Sequence, residues 1–187
     1  MKKIFLFAAC LLAGYPALSA AVEPMVDGAN SYTLFVKSDG TVWGLGLGNY
    51  FGAQNSSESF SIPDKVFDLS DITKISANSS QSMALKSDGT IWGLGYYNKI
   101  PERLSDLTDV IDIGIGYYLH YVALTSDGTV WAWGTNDDGQ AGPLATGDDQ
   151  ETPVEVTISE PVIKIAAGYK HTIALTSSGS VWAWGYN

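Results

Sequence analysis

The sequence is poor in the residues that most often carry chemistry. It has one cysteine, Cys10, two histidines, and only 10 basic residues against 20 acidic ones. Cys10 lies in an N-terminal apolar stretch, so the chain beyond it has neither a disulfide nor a thiol nucleophile, and its stability must come from packing. The histidines, His120 and His171, occupy one repeated position, each eight residues before a glycine. Two equivalent residues make neither a Ser-His-Asp constellation nor a metal centre, and a structural role at each of the two positions, through a hydrogen bond, is expected of them. The acidic runs Asn136-Asp137-Asp138-Gly139 and Gly147-Asp148-Asp149-Gln150-Glu151 lack EF-hand spacing. Gly44-Leu45-Gly46-Leu47-Gly48 ends a strand with no helix after it, which argues against a phosphate loop. No catalytic residue, metal or cofactor is expected. The acidic excess repels nucleic-acid phosphates and anionic lipid.

The first 21 residues form a unit of their own. Lys2 and Lys3 precede an apolar run from Ile4 to Leu12, and small residues follow around Ala17 to Ala21. This is the pattern of a secretory signal peptide, with cleavage after Ser19 or Ala21. Its removal would take away Cys10 and two lysines, leaving 8 basic residues against 20 acidic ones. Export to a periplasm, cell surface or medium is expected. No later apolar run approaches the roughly 18 to 20 residues that cross a bilayer, so no membrane insertion is expected after cleavage.

The remaining chain is rich in glycine (20) and in Trp, Tyr and Phe (6, 10 and 6), which favours short strands and tight turns. One motif recurs: Ser38-Asp39-Gly40-Thr41-Val42-Trp43-Gly44, Ser87-Asp88-Gly89-Thr90-Ile91-Trp92-Gly93, Ser126-Asp127-Gly128-Thr129-Val130-Trp131-Ala132, and Ser178-Gly179-Ser180-Val181-Trp182-Ala183. Its glycine advances by an uneven 49, 39 and 51 residues. A second marker, Pro63-Asp64-Lys65-Val66, Pro101-Glu102-Arg103-Leu104 and Pro153-Val154-Glu155-Val156, resolves the irregularity. Proline to glycine spans 26, 27 and 26 residues, whereas Trp to the next proline spans 20, 9 and 22. A constant scaffold therefore alternates with one variable loop.

Four strand signals fall in each unit. They are Pro-x-x-Val; the apolar pairs Ile72/Ile75, Val110/Ile113 and Val162/Ile165; the runs ending Ala84-Leu85, Ala123-Leu124 and Ala174-Leu175; and the Val-Trp segment after the glycine. Asp-Gly between the last two predicts a two-residue hairpin. The expected fold is all-β, a partial β-propeller of four-stranded antiparallel blades, with units near 25–48, 62–97, 100–136 and 152–187. About three units are full, and the leading one lacks its Pro-x-x-Val strand.

Asp-Gly-x-Val-x-x-Trp-Gly, Asn136-Asp137-Asp138-Gly139-Gln140, Pro-x-x-Val and the histidine ahead of Ala-Leu together resemble the regulator of chromosome condensation repeat. The resemblance covers residues 26–187, and together with the signal peptide it points to a secreted, bacterial-type member. The second unit departs from it by lacking the Asn-x-x-Gly-Gln insert, and Tyr32 and Gln81 stand where the other units have histidine. Propellers of the family close with about seven blades. The resemblance therefore implies a truncated chain, or self-association through open blade edges.

Because strand direction alternates, two loop sets emerge on one face: the variable loops, with Tyr50, Phe51, Tyr96, Tyr97, Asp137 and Asp138, and the turns holding Tyr117, Tyr118 and Tyr169. These nine residues are the candidate partner-binding set, since tyrosine offers an apolar ring with a polar tip. The expected function is a non-enzymatic protein-binding or scaffold module that recognises a protein partner through this face. Nucleotide exchange on a small GTPase is the alternative that the family resemblance implies. Carbohydrate binding on the tyrosine-rich face is the other.

Overall fold

In the computed structural model, the described residues are 22–48, 51, 59–66, 68–95, 100–142 and 149–186. The signal-peptide segment, Tyr50, Tyr96 and Tyr97 lie outside them. The described residues form four antiparallel sheets without an α-helix. Blade one contains β1 (Met25–Gly28), β2 (Tyr32–Val36), β3 (Val42–Leu47) and β4 (Ser59–Lys65). Blade two contains β5 (Ile72–Ala77), β6 (Gln81–Lys86), β7 (Ile91–Gly95) and β8 (Glu102–Arg103). Blade three contains β9 (Val110–Ile115), β10 (His120–Thr125), β11 (Val130–Gly134) and β12 (Gln150–Val156). Blade four contains β13 (Val162–Ala167), β14 (His171–Thr176) and β15 (Val181–Gly185).

All-β architecture follows as expected, but the blade boundaries shift by one strand. The Pro-x-x-Val segment closes the preceding sheet instead of opening the next, with Trp43 opposite Lys65, Trp92 opposite Arg103 and Trp131 opposite Glu155. Proline explains this position. It has no N–H for a ladder, so it is tolerated on an outermost strand, where β4 and β12 carry Pro63 and Pro153. The three-stranded sheet is consequently the last one, not the first.

The predicted two-residue hairpin is also corrected. Lys37 N–H donates to Thr41 O at 3.0 Å and Gly40 N–H to Lys37 O at 2.9 Å, enclosing three residues. Glycine alone takes a positive φ at this turn: 75° at Gly40, 80° at Gly89, 88° at Gly128 and 90° at Gly179. A type I turn followed by a left-handed glycine has this form. The aspartate acts through its side chain. Thr41 donates its N–H at 3.0 Å and its hydroxyl at 2.6 Å to Asp39 Oδ1, and Trp43 Nε1–H donates to the Thr41 hydroxyl at 3.1 Å. Asp88, Thr90 and Trp92 repeat the relay. These bonds to the ionised carboxylate hold Asp39 and Asp88 below the ordinary aspartate range.

Period-two alternation gives each blade two apolar faces. One face of blade one carries Leu34, Val36 and Val42, which share a core with Ile72, Ile75 and Ala84 of blade two. Met83, Leu85 and Ile91 share the next core with Val110, Ile113 and Ala123, and Val122, Leu124 and Val130 the third with Val162, Ile165 and Ala174. The turn glycine adds a polar tie. Gly40, Gly89 and Gly128 carbonyls accept from Ile72, Val110 and Val162 N–H at 3.0, 3.3 and 3.0 Å, joining each blade to its successor.

Phe51 belongs to this core. It is fully buried against Gly44, where a Cβ would meet its ring at 2.5 Å, and lies edge-on to Phe60 at 5.7 Å. In blade two, Leu104 fills the equivalent hollow over Gly93. His120 is fully buried as well, and its ring lies against Gly116, where a Cβ would come within 1.8 Å. Among the described residues neither of its ring nitrogens has a hydrogen-bond partner, so its structural role is packing and not the expected hydrogen bond. Burial lowers its pKa to about 4, and the His171 backbone opposes the shift without reaching hydrogen-bond geometry.

Two outcomes follow. Leu124→Ala should cost roughly 2 to 5 kcal/mol by urea unfolding. Leu175→Ala, at the same register but 36% exposed, should cost less than half as much in the isolated subunit. The neutral His120 makes stability fall as pH drops from about 6.5, the unfolded value, to about 4. The loss should reach roughly 3 kcal/mol. His120→Gln, which installs the residue found at this position in blade two, should flatten that part of a stability–pH curve. An unchanged slope would remove His120 as its source.

Candidate functional site

The turns between the first two strands of each blade gather at one end of the array. Gly28, Ala29, Asn30, Asn78, Ser79, Tyr117 and Gly168 line a depression of about 210 Å³ there. Adjacent turns are bonded together. Asn78 Nδ2 donates to Gly116 O at 2.8 Å, Tyr117 N–H to Gly168 O at 3.1 Å, and Tyr118 N–H to Tyr169 O at 3.3 Å. The Tyr32 hydroxyl donates to Gln81 O at 2.7 Å. Loop positions at this end are therefore set by the blades beneath them.

On the rim of the depression, Tyr117, Tyr118 and Tyr169 form one cluster from two blades. Tyr117 stacks on Tyr169 with centroids 4.8 Å apart, Tyr118 meets Tyr169 edge-on at 4.8 Å, and Tyr169 OH donates to Tyr118 OH at 3.1 Å. The rings stay 40%, 40% and 54% exposed. The hydrogen bond to Tyr118 raises the Tyr169 pKa, so its hydroxyl stays neutral and able to donate.

Lys170 and Asp138 brace the cluster. Lys170 Nζ lies 2.7 Å from Asp138 Oδ2, 4.7 Å from the Tyr118 ring centroid and 5.9 Å from that of Tyr186. The Asp138 hydrogen bond raises the lysine pKa and keeps it charged. Asp138 is held in turn by the loop after β11. Asp138 N–H donates to Gln140 Oε1 at 2.8 Å, Ala141 N–H to Asn136 Oδ1 at 2.9 Å, and Trp184 Nε1–H from blade four to Gln140 O at 3.1 Å. The Asn-Asp-Asp-Gly-Gln segment thus ties blade three to blade four.

Of the nine candidate residues, Tyr117, Tyr118, Tyr169 and Asp138 come together, and Asp137 lies exposed beside Asp138. Phe51 does not join them, because it fills the hollow over Gly44. The placement of Tyr50, Tyr96 and Tyr97 lies outside the described residues. Sequence reasoning missed Lys170 and Tyr186, the latter 64% exposed. Tyr186 follows the Trp-Ala-Trp-Gly segment as Tyr96 follows Trp-Gly-Leu-Gly, so alignment of the repeats would have nominated it.

Known proteins carry the same pattern. Two models described as regulator of chromosome condensation (RCC1) repeat match residues 127–175 and 110–140. The chain is 31% identical over 93 residues to the probable E3 ubiquitin-protein ligase HERC4 of Rattus norvegicus, covering 48% of this chain and 9% of the ligase. It resembles the crystal structure of human WBSCR16 with TM-score 0.76 and 22% identity, covering 89% of this chain and 48% of that one. It also resembles yeast RCC1 (Prp20), solved bound to Kap60, with TM-score 0.72 and 20% identity, covering 91% of this chain and 45% of that one. The chain thus spans less than half of each of these relatives, and the two solved structures share its fold. Recurring turn, tryptophan and proline positions, together with these matches, show that residues 110–175 carry regulator of chromosome condensation repeats and that the described residues form β-propeller blades like those of that family.

Proposed function

We propose that the chain is a non-enzymatic binding module that takes a protein partner on the face centred on Tyr117, Tyr118 and Tyr169. The observation that carries this reading is the cluster itself, in which three exposed rings from two blades are already packed in one arrangement. Aromatic side chains with few rotatable bonds bring large contact area at low entropic cost, and they dominate binding energy at interfaces. Lys170, paired with Asp138, sets a cation against the Tyr118 ring. Exposed Asp137 and Asp149 on the loop after β11, with exposed Glu151 near the start of β12, favour a partner with a basic patch.

Two further considerations support the reading. Yeast RCC1, which shares the fold, was solved with a protein, Kap60, bound to it. The N-terminal Lys-Lys and apolar run fit export, so the proposed partner is another exported or extracellular protein. Exchange activity rests on family resemblance alone.

The test is a paired substitution. Tyr118→Ser with Tyr169→Ser removes two half-exposed rings and should lower the unfolding midpoint modestly while keeping a single cooperative transition. Binding to the partner that the wild-type chain captures from the exported proteins of its own source should weaken at least about 30-fold, the effect of losing one hot spot. Equal affinity of the double variant would sink the assignment of this face.

A further inference from the structure

Tyr118 and Tyr169 stand on equivalent turns of neighbouring blades and meet at their polar ends. Tyr169 OH donates to Tyr118 OH at 3.1 Å, the ring centroids are 4.8 Å apart, and the ring planes cross at 74°. The contact joins positions 51 residues apart in sequence. It is held from beneath, since Tyr117 N–H donates to Gly168 O and Tyr118 N–H to Tyr169 O. Both rings are open to solvent.

This arrangement is close to that of a dityrosine. In that product a single bond joins the ring carbons beside the two oxygens, the rings are twisted out of one plane, and the hydroxyls lie next to each other. The Tyr169 to Tyr118 hydrogen bond already sets both oxygens, and with them the flanking carbons, at one junction. Tyr117 also contacts Tyr169, but as a stacked ring at 20°, and the Tyr169 hydroxyl is turned to Tyr118 instead. Competing sinks for an oxidant are few. The one cysteine, Cys10, lies in the N-terminal apolar segment, so the chain beyond it offers no thiol. Tyr32 and Met83 are buried, and Tyr121 donates its hydroxyl to Gln81 while its ring stacks on Trp133.

We propose that Tyr118 and Tyr169 are a modification site, where a peroxidase-type oxidant couples the two rings into a dityrosine that staples blade three to blade four. Each tyrosine gives up one electron and its phenolic proton, leaving two neutral tyrosyl radicals. These combine through the ring carbons beside the oxygens. The hydrogen on each joined carbon then leaves as a proton and each oxygen regains one, which restores both aromatic rings. The two electrons and two protons released, with those of a second tyrosine counted in, reduce one hydrogen peroxide to two waters. Two tyrosines and one peroxide thus give one dityrosine and two waters. The bond would do for this chain what a disulfide does for a chain with cysteines, tying together distant positions of the sequence. It requires no bound partner, so it stands or falls independently of the proposed docking role.

The test treats the dilute wild-type chain with a peroxidase and limiting hydrogen peroxide. The monomer fraction is then read by dityrosine fluorescence and by mass spectrometry after trypsin. The expected product joins the peptide that holds Tyr118 to the peptide that ends at Lys170, two hydrogens lighter than their sum. Its urea midpoint should lie above that of the untreated chain. Tyr118→Phe and Tyr169→Phe keep each ring and should lose the product, whereas Tyr117→Phe should keep it; circular dichroism checks that all three fold. Oxidation in urea, where nothing holds the rings together, should scatter the coupling among other tyrosines. Coupling confined to links between chains, its survival in Tyr118→Phe, an unchanged midpoint, or an equal yield of the same joined peptide from the unfolded chain would each overturn the proposal.

Discussion

The structure depends on one contact used three times: the aliphatic face of a blade set against the Val, Ile and Ala face of its successor. A single small antiparallel sheet is barely stable alone, because it cannot bury both of its sides. Stacking solves this. Each Leu, Ile, Val or Met removed from water contributes roughly 1.5 to 3 kcal/mol, and the blade pairs share that gain. Turn glycines reinforce the stack, since a left-handed φ and the lack of a side chain let the next strand's N–H reach the turn carbonyl.

That constraint explains which parts of the fold were legible in the sequence. The turn glycine of Asp-Gly-Thr-x-Trp was readable because a left-handed glycine is a local cause, whereas the three-residue loop and the relay from Asp39 through Thr41 to Trp43 were not, because side-chain hydrogen bonds make them. Alternation within the β2, β6, β10 and β14 segments, also local, was readable. Blade membership of the proline strand was not. A repeat has no marked start, and periodicity alone does not say whether Pro63 pairs backward with Trp43's strand or forward with Ile72's. Pairing is backward, to the strand whose outer edge can accept a proline.

The candidate site was half legible. Strand alternation placed Tyr117, Tyr118 and Tyr169 at one end, and the structure gathers them because two equivalent turns of neighbouring blades hydrogen-bond to each other. Phe51 shares their chemistry and sits in a loop, yet it is core. The absence of a side chain at Gly44 makes the hollow it fills, which is a tertiary fact. Lys170 was invisible for a related reason. Its significance arises only when the loop after β11 brings Asp138 across the blade junction.

Scaffold and recognition surface are therefore coupled. The Asn136 to Gln140 segment bonds to blade four through Trp184 and Lys170, so the loop that shapes the tyrosine cluster also fastens two blades. Amide hydrogen exchange on monomeric chains measures the central claim most directly, because protection reports which strands are locked by neighbours on both faces. The account predicts slowest exchange in β6 and β10, each covered by a blade on either side, and faster exchange in β2 and β14, each covered on one side only. Protection in β14 equal to that in β10 would contradict the claim that blade-to-blade burial holds the array together.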